Sequence, residues 1–306
     1  MLMYWLLRIG SIIVPLVPIW LARPLTSGVA WLLWALTPKT RARATKNLRR
    51  VPGLADDPQR LQTAVRGVYE TAAQNYLDFL RGAKISDREL LSGWTIENQE
   101  GLDAVMAQRK GLIIFTAHLG NFELGASRLG ALGYNSIAPA EHMRPEALFR
   151  LFCRIREHHR LHLVPADERD SLRALLEALS RGEIVVFVVD RYVTGSSMDV
   201  PFFGGTLRIP TGPIALALRT GAPVMAVFSW REGKGRSHGL FTLLDLSQPE
   251  QQREGEGSGV RTVAAERTRT SKAIRQAAHV YVKEMERVIS AHPEQWVSAL
   301  LHVWND

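Results

Sequence analysis

A single cysteine, Cys153, occurs among the 306 residues of this chain. One cysteine excludes an internal disulfide and any zinc site built from several cysteines, and it favours a reducing compartment. A nucleophilic role for the thiol would need an activating base, whereas its neighbours Phe152 and Ile155 indicate packing on a helix. The Gly-x-Ser-x-Gly elbow of serine nucleophiles is also absent from the sequence. Both absences argue against a covalent enzyme intermediate.

The N-terminal segment lacks an uninterrupted apolar run of the length that an ordinary membrane-spanning helix needs. Residues 1–37 are rich in Leu, Ile, Val and Trp, but Arg8, Arg23 and three prolines interrupt them before about 20 apolar residues accumulate. A cleaved signal peptide fits poorly, because no small-residue cleavage site follows a compact apolar core. We expect two short helices that lie in a membrane interface. The alternative is a hydrophobic helical pair packed on the domain.

Acidic residues are outnumbered by basic ones. The chain has 38 Lys and Arg against 30 Asp and Glu, which gives a formal charge of +8. This balance favours anionic partners, which include nucleic acid, acidic lipid headgroups and the phosphates of coenzyme A or acyl carrier protein. The basic stretch at 39–50 would face anionic headgroups, each charge contributing about 1 kcal/mol near such a surface. We therefore expect a membrane-associating segment at 1–50 and one domain at 51–306.

Short apolar runs alternate with helical patterns in the middle of the chain. The run at 112–115 reads as a buried strand, and apolar residues at helical spacing follow it. Such alternation predicts an α/β fold, here a mixed central sheet flanked by helices on both faces. A long amphipathic helix is predicted at 56–80, and another long helix at 262–290 closes the fold. The polar segment at 247–260 is predicted to be a mobile loop.

The segment GLIIFTAHLGNFEL at 111–124 places a histidine between the buried strand and the start of a helix. Gly120 permits a tight turn there, and free amides near Gly120 and Asn121 would stabilise negative charge. An imidazole beside such amides suits attack on a carbonyl. Residues five apart on a helix lie roughly 140° apart, so His118 and Glu123 cannot share a face. Either His118 folds back from the turn, or another carboxylate orients its ring.

This segment resembles the H-x4-D/E motif of the glycerolipid-type acyltransferases, and its sequence TAHLGNFELG is most similar to the bacterial lipid A acyltransferase family. Three later segments support the likeness: Asp-Arg at 190–191, an acidic residue followed by Phe-Phe-Gly at 199–204, and His-Pro-Glu-Gln-Trp at 292–296. The Asp-Arg form with an acidic residue at 199 looks closer to the phosphatidylinositol mannoside acyltransferases than to the lauroyl transferases.

The resemblance implies a membrane-bound reaction at the cytoplasmic face of the inner membrane. A fatty acyl group would pass from acyl-CoA or acyl carrier protein to a hydroxyl of a glycolipid, such as a phosphatidylinositol mannoside or a lipid A precursor. It implies no metal, no other cofactor and no nucleic-acid partner. His118 is the expected base. Asp199 is the expected orienting carboxylate, because it precedes Phe-Phe-Gly by the spacing of the mannoside acyltransferases, and Glu123 is the alternative.

Seven further positions are predicted to bind substrate or its phosphates: Asn121, Arg144, Arg156, Asp190, Arg191, Phe203 and Gly204. The arginines at 144 and 156 could bind phosphate or an oxyanion bidentately, or lie on solvated helix faces. The pair at 190–191 follows an apolar strand, and strand ends in open α/β sheets face the ligand crevice. The Phe-Gly pair could shape an acyl groove, or its phenylalanine could belong to the core.

Two other functions fit the same sequence features. A hydrolase could use His118 to activate water on an acyl ester, and release of free fatty acid without an acceptor would distinguish it. A non-catalytic membrane-binding protein could rely on the basic N-terminal region alone. The joint presence of the motifs favours the acyltransferase over both.

Overall fold

The computed structural model describes residues 2–233, 235–246 and 263–304. It begins with two apolar helices, α1 (Leu2–Ile13) and α2 (Ile19–Leu36), followed by the basic helix α3 (Pro38–Leu48). An N-terminal helical pair is therefore confirmed, but α2 is longer than the short helix expected, because it continues through Arg23 and Pro24. By length and composition, α2 is the one helix of the described residues that is long and apolar enough to cross a membrane. Most of its large apolar side chains are exposed, so this helix covers little of the core.

The remaining helices run in chain order as α4 (Pro58–Arg81), α5 (Asp87–Leu91), α6 (Gln99–Ala107), α7 (Phe122–Ala131), α8 (Glu146–Glu157), α9 (Arg169–Ser180), α10 (Gly212–Thr220) and α11 (Val263–Ala291). The strands are β1 (Trp94–Glu97), β2 (Leu112–Thr116), β3 (Ser136–Ala140), β4 (Leu161–Pro165), β5 (Ile184–Val188), β6 (Ser197–Phe202), β7 (Gly205–Pro210), β8 (Val224–Gly233) and β9 (Arg236–Leu244). The two long helices expected from the sequence correspond to α4 and α11. The loop predicted at 247–260 lies outside the described residues.

Seven strands form one mixed sheet in the order β1-β9-β8-β2-β5-β3-β4. Only β8 and β9 pair antiparallel within it, while the other neighbours are parallel. Ile113 and Phe115 of β2 belong to the core on the face that α9, α10 and α11 cover, and Leu112 and Ile114 belong to the core beneath α6 and α7. Burial on both faces explains why β2 reads as a continuous apolar run rather than as an alternating one. The predicted α/β class is confirmed.

The basic helix α3 packs on the C-terminal end of the chain. Ala44 and Leu48 are fully buried in the larger core cluster. Asn47 is buried as well, and its side-chain amide donates to the carbonyls of Ala299 and Leu301, 2.8 Å away in each case. The division of the chain at residue 50 stays a prediction, while these contacts join α3 to the residues that close the fold.

Candidate active site

His118 and Asp190 meet at the carboxyl edge of the sheet. β2 and β5 are parallel neighbours whose last partners are Thr116 and Val188, and each of the two side chains follows its strand by two residues. His118 Nδ1 lies 2.8 Å from Asp190 Oδ1, and the His118 backbone amide donates to Asp190 Oδ2 over 3.1 Å. The carboxylate therefore orients the imidazole and leaves Nε2 as the ring nitrogen available to a substrate.

The Asp190 carboxylate is fully buried but well supplied with hydrogen-bond donors. Trp296 Nε1 donates to Oδ2 over 3.3 Å, and the Ser298 hydroxyl, 3.4 Å from His118 Nδ1, lies close enough to affect the pKa of the same carboxylate. Burial acts to raise the pKa of Asp190, but the charge of His118 and the hydrogen bonds from His118 and Ser298 outweigh it. The pKa of Asp190 is therefore held below its ordinary value, so the group stays ionised at neutral pH.

The turn between β2 and α7 requires glycine at position 120. Gly120 has φ +55, and a Cβ atom there would collide with the Ser229 carbonyl oxygen on β8. Its amide donates to the Gln295 carbonyl over 2.9 Å. The close approach to β8 holds the turn, and with it His118, against the sheet.

Glu123 pairs with Arg156 rather than with His118. Arg156 Nε lies 3.2 Å from Glu123 Oε2, and a second, shorter contact makes the pair bidentate. The guanidinium also packs over the rings of Phe79 and Phe152, at 5.0 and 5.2 Å from their centroids. The acidic residue of H-x4-E therefore fixes an arginine from α8 beside the start of α7.

A cavity of about 450 Å³ opens beside His118, with Glu123 and Arg156 in its wall. It lies where β3 and β5 separate: these strands pair only at Ser136 with Ile184 and Ile137 with Val185. Pro139 of β3, which lacks an amide hydrogen, follows this point and lines the cavity. Most of the lining is apolar, including Ala126, Ala138, Leu161, Leu163, Val186 and Leu216. The structure thus joins a histidine–carboxylate pair to an apolar space.

The cavity extends across the sheet, away from His118. Leu161 and Leu163 on β4 line its other side, and β4 is three strands from β2, or roughly 14 Å at ~4.8 Å per strand. Its polar lining includes Arg191, whose Nη1 lies 3.0 Å from Glu141 Oε2. An elongated apolar space with charged groups in its wall suits an amphipathic substrate.

A family model of the bacterial lipid A biosynthesis acyltransferases matches residues 1–304. The chain belongs to this family. It is 29% identical over 208 residues to the phosphatidylinositol mannoside acyltransferase of Mycobacterium tuberculosis, which covers 66% of this chain and 65% of that protein. The Mycolicibacterium smegmatis protein of the same name is 28% identical over 66% of this chain and 67% of its own length. The resemblance expected from the sequence is confirmed.

A lipid A biosynthesis lauroyltransferase of Escherichia coli matches less of this family member. It is 27% identical over 161 residues, which is 51% of each chain. The alignment with the M. tuberculosis protein spans just under two thirds of that protein's length. The greater coverage agrees with the predicted likeness to the mannoside acyltransferases.

In this family member, the expected partner of His118 is corrected from Asp199 to Asp190. Asp199 lies on the hairpin of β6 and β7, where it is paired in register with Arg208. Its Oδ1 lies 2.9 Å from Arg208 Nε, and both side chains are about half exposed. Glu123, the alternative partner, is held by Arg156. Neither carboxylate reaches the imidazole.

Phe203 and Gly204 do not line the cavity and instead form the turn of this hairpin. Phe202 pairs with Gly205, which leaves a two-residue loop in which Phe203 has φ +44 and Gly204 has φ +70. Two positive φ angles define the turn that suits tight hairpins. The Phe203 amide donates to Glu286 on α11, and this contact holds the unusual conformation. The groove role predicted for both residues is therefore wrong.

Asn121 and Arg144 also lie outside the cavity lining. The Asn121 side chain is fully buried, and its amide donates to Ser237 Oγ over 2.6 Å. It anchors the start of α7 to β9 rather than facing a ligand. Arg144 is exposed in the segment before α8. By contrast, Arg156 and Arg191, which were both predicted to bind substrate, do line the cavity.

Trp296 and Ser298 contact the histidine–carboxylate pair, and no local pattern assigned them to it. The likeness to the family at 292–296 was the only sequence signal near them. A tryptophan and a serine at the end of a chain have many structural explanations. Their position beside Asp190 depends on the packing of the C-terminal end across the His118 turn.

Proposed function

We propose that this protein transfers a fatty acyl group from an acyl thioester to a hydroxyl group of a membrane glycolipid. The observation that carries the proposal is the His118–Asp190 pair beside an elongated apolar cavity. A thioester is already activated, so transfer needs a base, a site for the oxyanion and exclusion of water. The family membership and the relatives named as phosphatidylinositol mannoside acyltransferases support this reaction class.

His118 acts as the base in the proposed reaction. Asp190 accepts the hydrogen of Nδ1, so Nε2 removes the proton of the acceptor hydroxyl while its oxygen attacks the thioester carbonyl. The tetrahedral intermediate collapses with cleavage of the C–S bond, and the imidazolium returns the proton to the thiolate. The products are the acyl ester and the free thiol, and the proton taken from the acceptor hydroxyl ends on the sulfur.

The start of α7 supplies the groups proposed to hold the oxyanion. The first helical hydrogen bond of α7 is donated by the Gly125 amide to the Asn121 carbonyl, four residues earlier. The amides of Phe122 and Glu123 precede it at the positive end of the helix dipole, and both residues line the cavity. This role was expected for amides near Gly120 and Asn121, but the Gly120 amide donates to the Gln295 carbonyl.

The donor is proposed to be acyl-CoA or acyl carrier protein, and the acceptor a phosphatidylinositol mannoside or a lipid A precursor. The apolar cavity would hold the acyl chain, which extends from the His118 end toward β4. The charged lining residues Arg156 and Arg191 would lie nearer the polar parts of the substrates. The relatives named as mannoside acyltransferases and as a lipid A biosynthesis lauroyltransferase support both acceptor classes, and the mannoside acyltransferases match more of the chain.

The N-terminal helices are proposed to anchor the protein to the cytoplasmic face of the inner membrane without crossing it. Leu16 lies in the break between α1 and α2, Trp20 is the second residue of α2, and the two are 67% and 74% exposed. Such apolar exposure is costly in water and is relieved in a bilayer interface. Helix α3 and the two residues after it add six basic and no acidic side chains, which would face anionic headgroups.

The full-length chain incubated with labelled acyl-CoA or acyl carrier protein and each glycolipid tests the proposal. We expect an acyl ester of the glycolipid to form with the native protein and not with His118→Ala. Free fatty acid formed at the same rate without any glycolipid would identify a hydrolase instead. Absence of both products with every donor and acceptor, together with binding to anionic vesicles, would identify a membrane-binding protein without this activity.

A further inference from the structure

The C-terminal end of the chain crosses the turn that carries His118. The Val297 amide donates to the His118 carbonyl over 2.8 Å, and the Gln295 carbonyl accepts from Gly120 over 2.9 Å. Leu119 and Trp296 form an antiparallel bridge between these two contacts. The segment therefore pairs with the turn like a short strand, and it brings two side chains to Asp190.

Those side chains are Trp296 and Ser298, which are buried to 0% and 1% exposure. Trp296 Nε1 donates to Asp190 Oδ2, the oxygen that also accepts the backbone amide of His118. Ser298 Oγ lies 3.4 Å from His118 Nδ1. With Oδ2 occupied by two donors, Oδ1 is left to accept from the imidazole.

We propose that Trp296 is a positioning residue for the acyl transfer proposed above, and that its indole N–H fixes the carboxylate rotamer that orients His118, with Ser298 as the second donor. The inference rests on the proposed function only for its kinetic readout. A buried carboxylate without enough donors would take up a proton or rotate toward another partner. Trp296 supplies a donor that a phenylalanine of nearly the same shape would lack.

A second tryptophan in the same aromatic cluster provides a matched control. The Trp296 and Trp304 rings lie 6.5 Å apart, and Phe202 packs against both, at 5.6 and 5.4 Å. The Trp304 Nε1 is buried without a hydrogen-bond partner among the described residues. Replacement of either indole by phenyl removes part of the same aromatic cluster, but only Trp296→Phe removes a hydrogen bond to Asp190.

The test compares full-length Trp296→Phe and Trp304→Phe in steady-state kinetics over a range of pH. We expect Trp296→Phe to lower kcat by on the order of tenfold with little change in KM, since one hydrogen bond to a charged group is lost. The acidic limb of its kcat/KM profile should move to higher pH, because the Asp190 carboxylate loses a donor. Trp304→Phe should keep the native kcat and profile. Equal effects of the two substitutions would overturn the proposal.

A second readout does not need turnover. In protein labelled with ¹⁵N-histidine, the Nδ1–H proton of His118 should give a low-field resonance that Trp296→Phe shifts or broadens and Trp304→Phe leaves in place. If both variants leave this resonance unchanged, the positioning role is wrong whether or not the protein transfers acyl groups. If Trp296→Phe fails to fold, Ser298→Ala, which removes the second proposed donor beside His118 Nδ1, should shift the same resonance, and an unshifted signal would again refute the proposal. Loss of transfer by the native protein alone would contradict only the proposed function.

Discussion

His118 and Asp190 each stand two residues beyond the last paired position of adjacent parallel strands, and their side chains meet at 2.8 Å. Groups at the carboxyl ends of neighbouring parallel strands share one edge of the sheet. The relationship explains how residues 72 positions apart form one unit. It also explains how a fully buried carboxylate remains ionised, because the turn after β2 supplies both an imidazole and a backbone amide.

The first prediction distinguishes Asp190 from Asp199. Asp190→Asn should lower kcat by about 10²- to 10⁴-fold, because an amide in place of the carboxylate cannot hold the imidazole in the required tautomer. Asp199→Asn should leave kcat unchanged, since Asp199 contacts Arg208 on an exposed hairpin. Steady-state kinetics on both variants, with circular dichroism to confirm folding, checks this. Normal turnover in Asp190→Asn and loss in Asp199→Asn would restore the assignment made from the sequence.

The second prediction concerns the coupling of Glu123 and Arg156. Both side chains are mostly buried, so Glu123→Gln leaves a partly buried guanidinium without its partner, and Arg156→Gln leaves the carboxylate. A double-mutant cycle on the free energy of unfolding should give a coupling of about 1–3 kcal/mol. The exposed pair of Arg173 and Glu177 is the control and should show almost no coupling. Additive effects at Glu123 and Arg156 would show that the ion pair does not stabilise the site.

The strands β2 and β5, the histidine turn and the α/β class followed from local patterns, while the partner of His118 did not. An apolar run predicts that β2 and β5 are strands, but it does not say that they are neighbours in a sheet where two other strands lie between them in sequence. Without that order, Asp190 was assigned to substrate binding and Asp199 to the imidazole. The pairing of β2 with β5 depends on tertiary structure, because it is determined by the packing on both faces of the sheet.

The hairpin of β6 and β7 could not be predicted from the sequence, for a different reason. Tight two-residue turns are usually signalled by Asn-Gly or Asp-Gly, but here the loop is Phe203-Gly204. A phenylalanine with positive φ is unfavourable on its own, and the hydrogen bond that its amide donates to Glu286 of α11, 83 residues away, holds it. No local rule could find this turn, so the phenylalanine was assigned to a groove.

The third prediction concerns the membrane. Leu16→Ser with Trp20→Ser should weaken sedimentation with vesicles that contain anionic lipid, because both side chains are among the most exposed apolar groups of the described residues. Leu243→Ser is the control, since Leu243 is 56% exposed but lies on β9. Protease mapping should find both ends of residues 1–37 on one side of the bilayer. Ends on opposite sides would show that α2 crosses it.

The fourth prediction is that Cys153 has no chemical role. Burial, followed by the nearby charge of Glu157, raises the pKa of the Cys153 thiol above its ordinary value. The thiol therefore stays protonated at neutral pH, and its alkylation by iodoacetamide should become fast only at more alkaline pH than for a free cysteine. Cys153→Ala should retain most of the acyl transfer. Isolation of an acyl-cysteine from the native protein by mass spectrometry would contradict both this prediction and the direct mechanism.

The last prediction tests whether the cavity holds the acyl chain and sets its length. Leu163 on β4 lines the cavity at the side away from His118, whereas Leu102 on α6 is buried in the same core cluster but outside the lining. Leu163→Ala and Leu102→Ala should each lower the free energy of unfolding by about 2–5 kcal/mol, because the first enlarges the cavity and the second leaves a void in the packed core.

Only Leu163→Ala should change the substrate. In competition among saturated acyl donors of different length, it should raise the kcat/KM ratio of longer over shorter chains by on the order of tenfold, the effect of one or two methylene groups in an apolar pocket. Ala138→Leu, which fills the lining between His118 and β4, should shift the ratio the other way. An equal shift of this ratio in Leu102→Ala would show that general loosening of the core, and not the cavity lining, changes the chain-length preference. No shift in either cavity variant would mean that the chain lies elsewhere, and that this space takes part of the acceptor lipid.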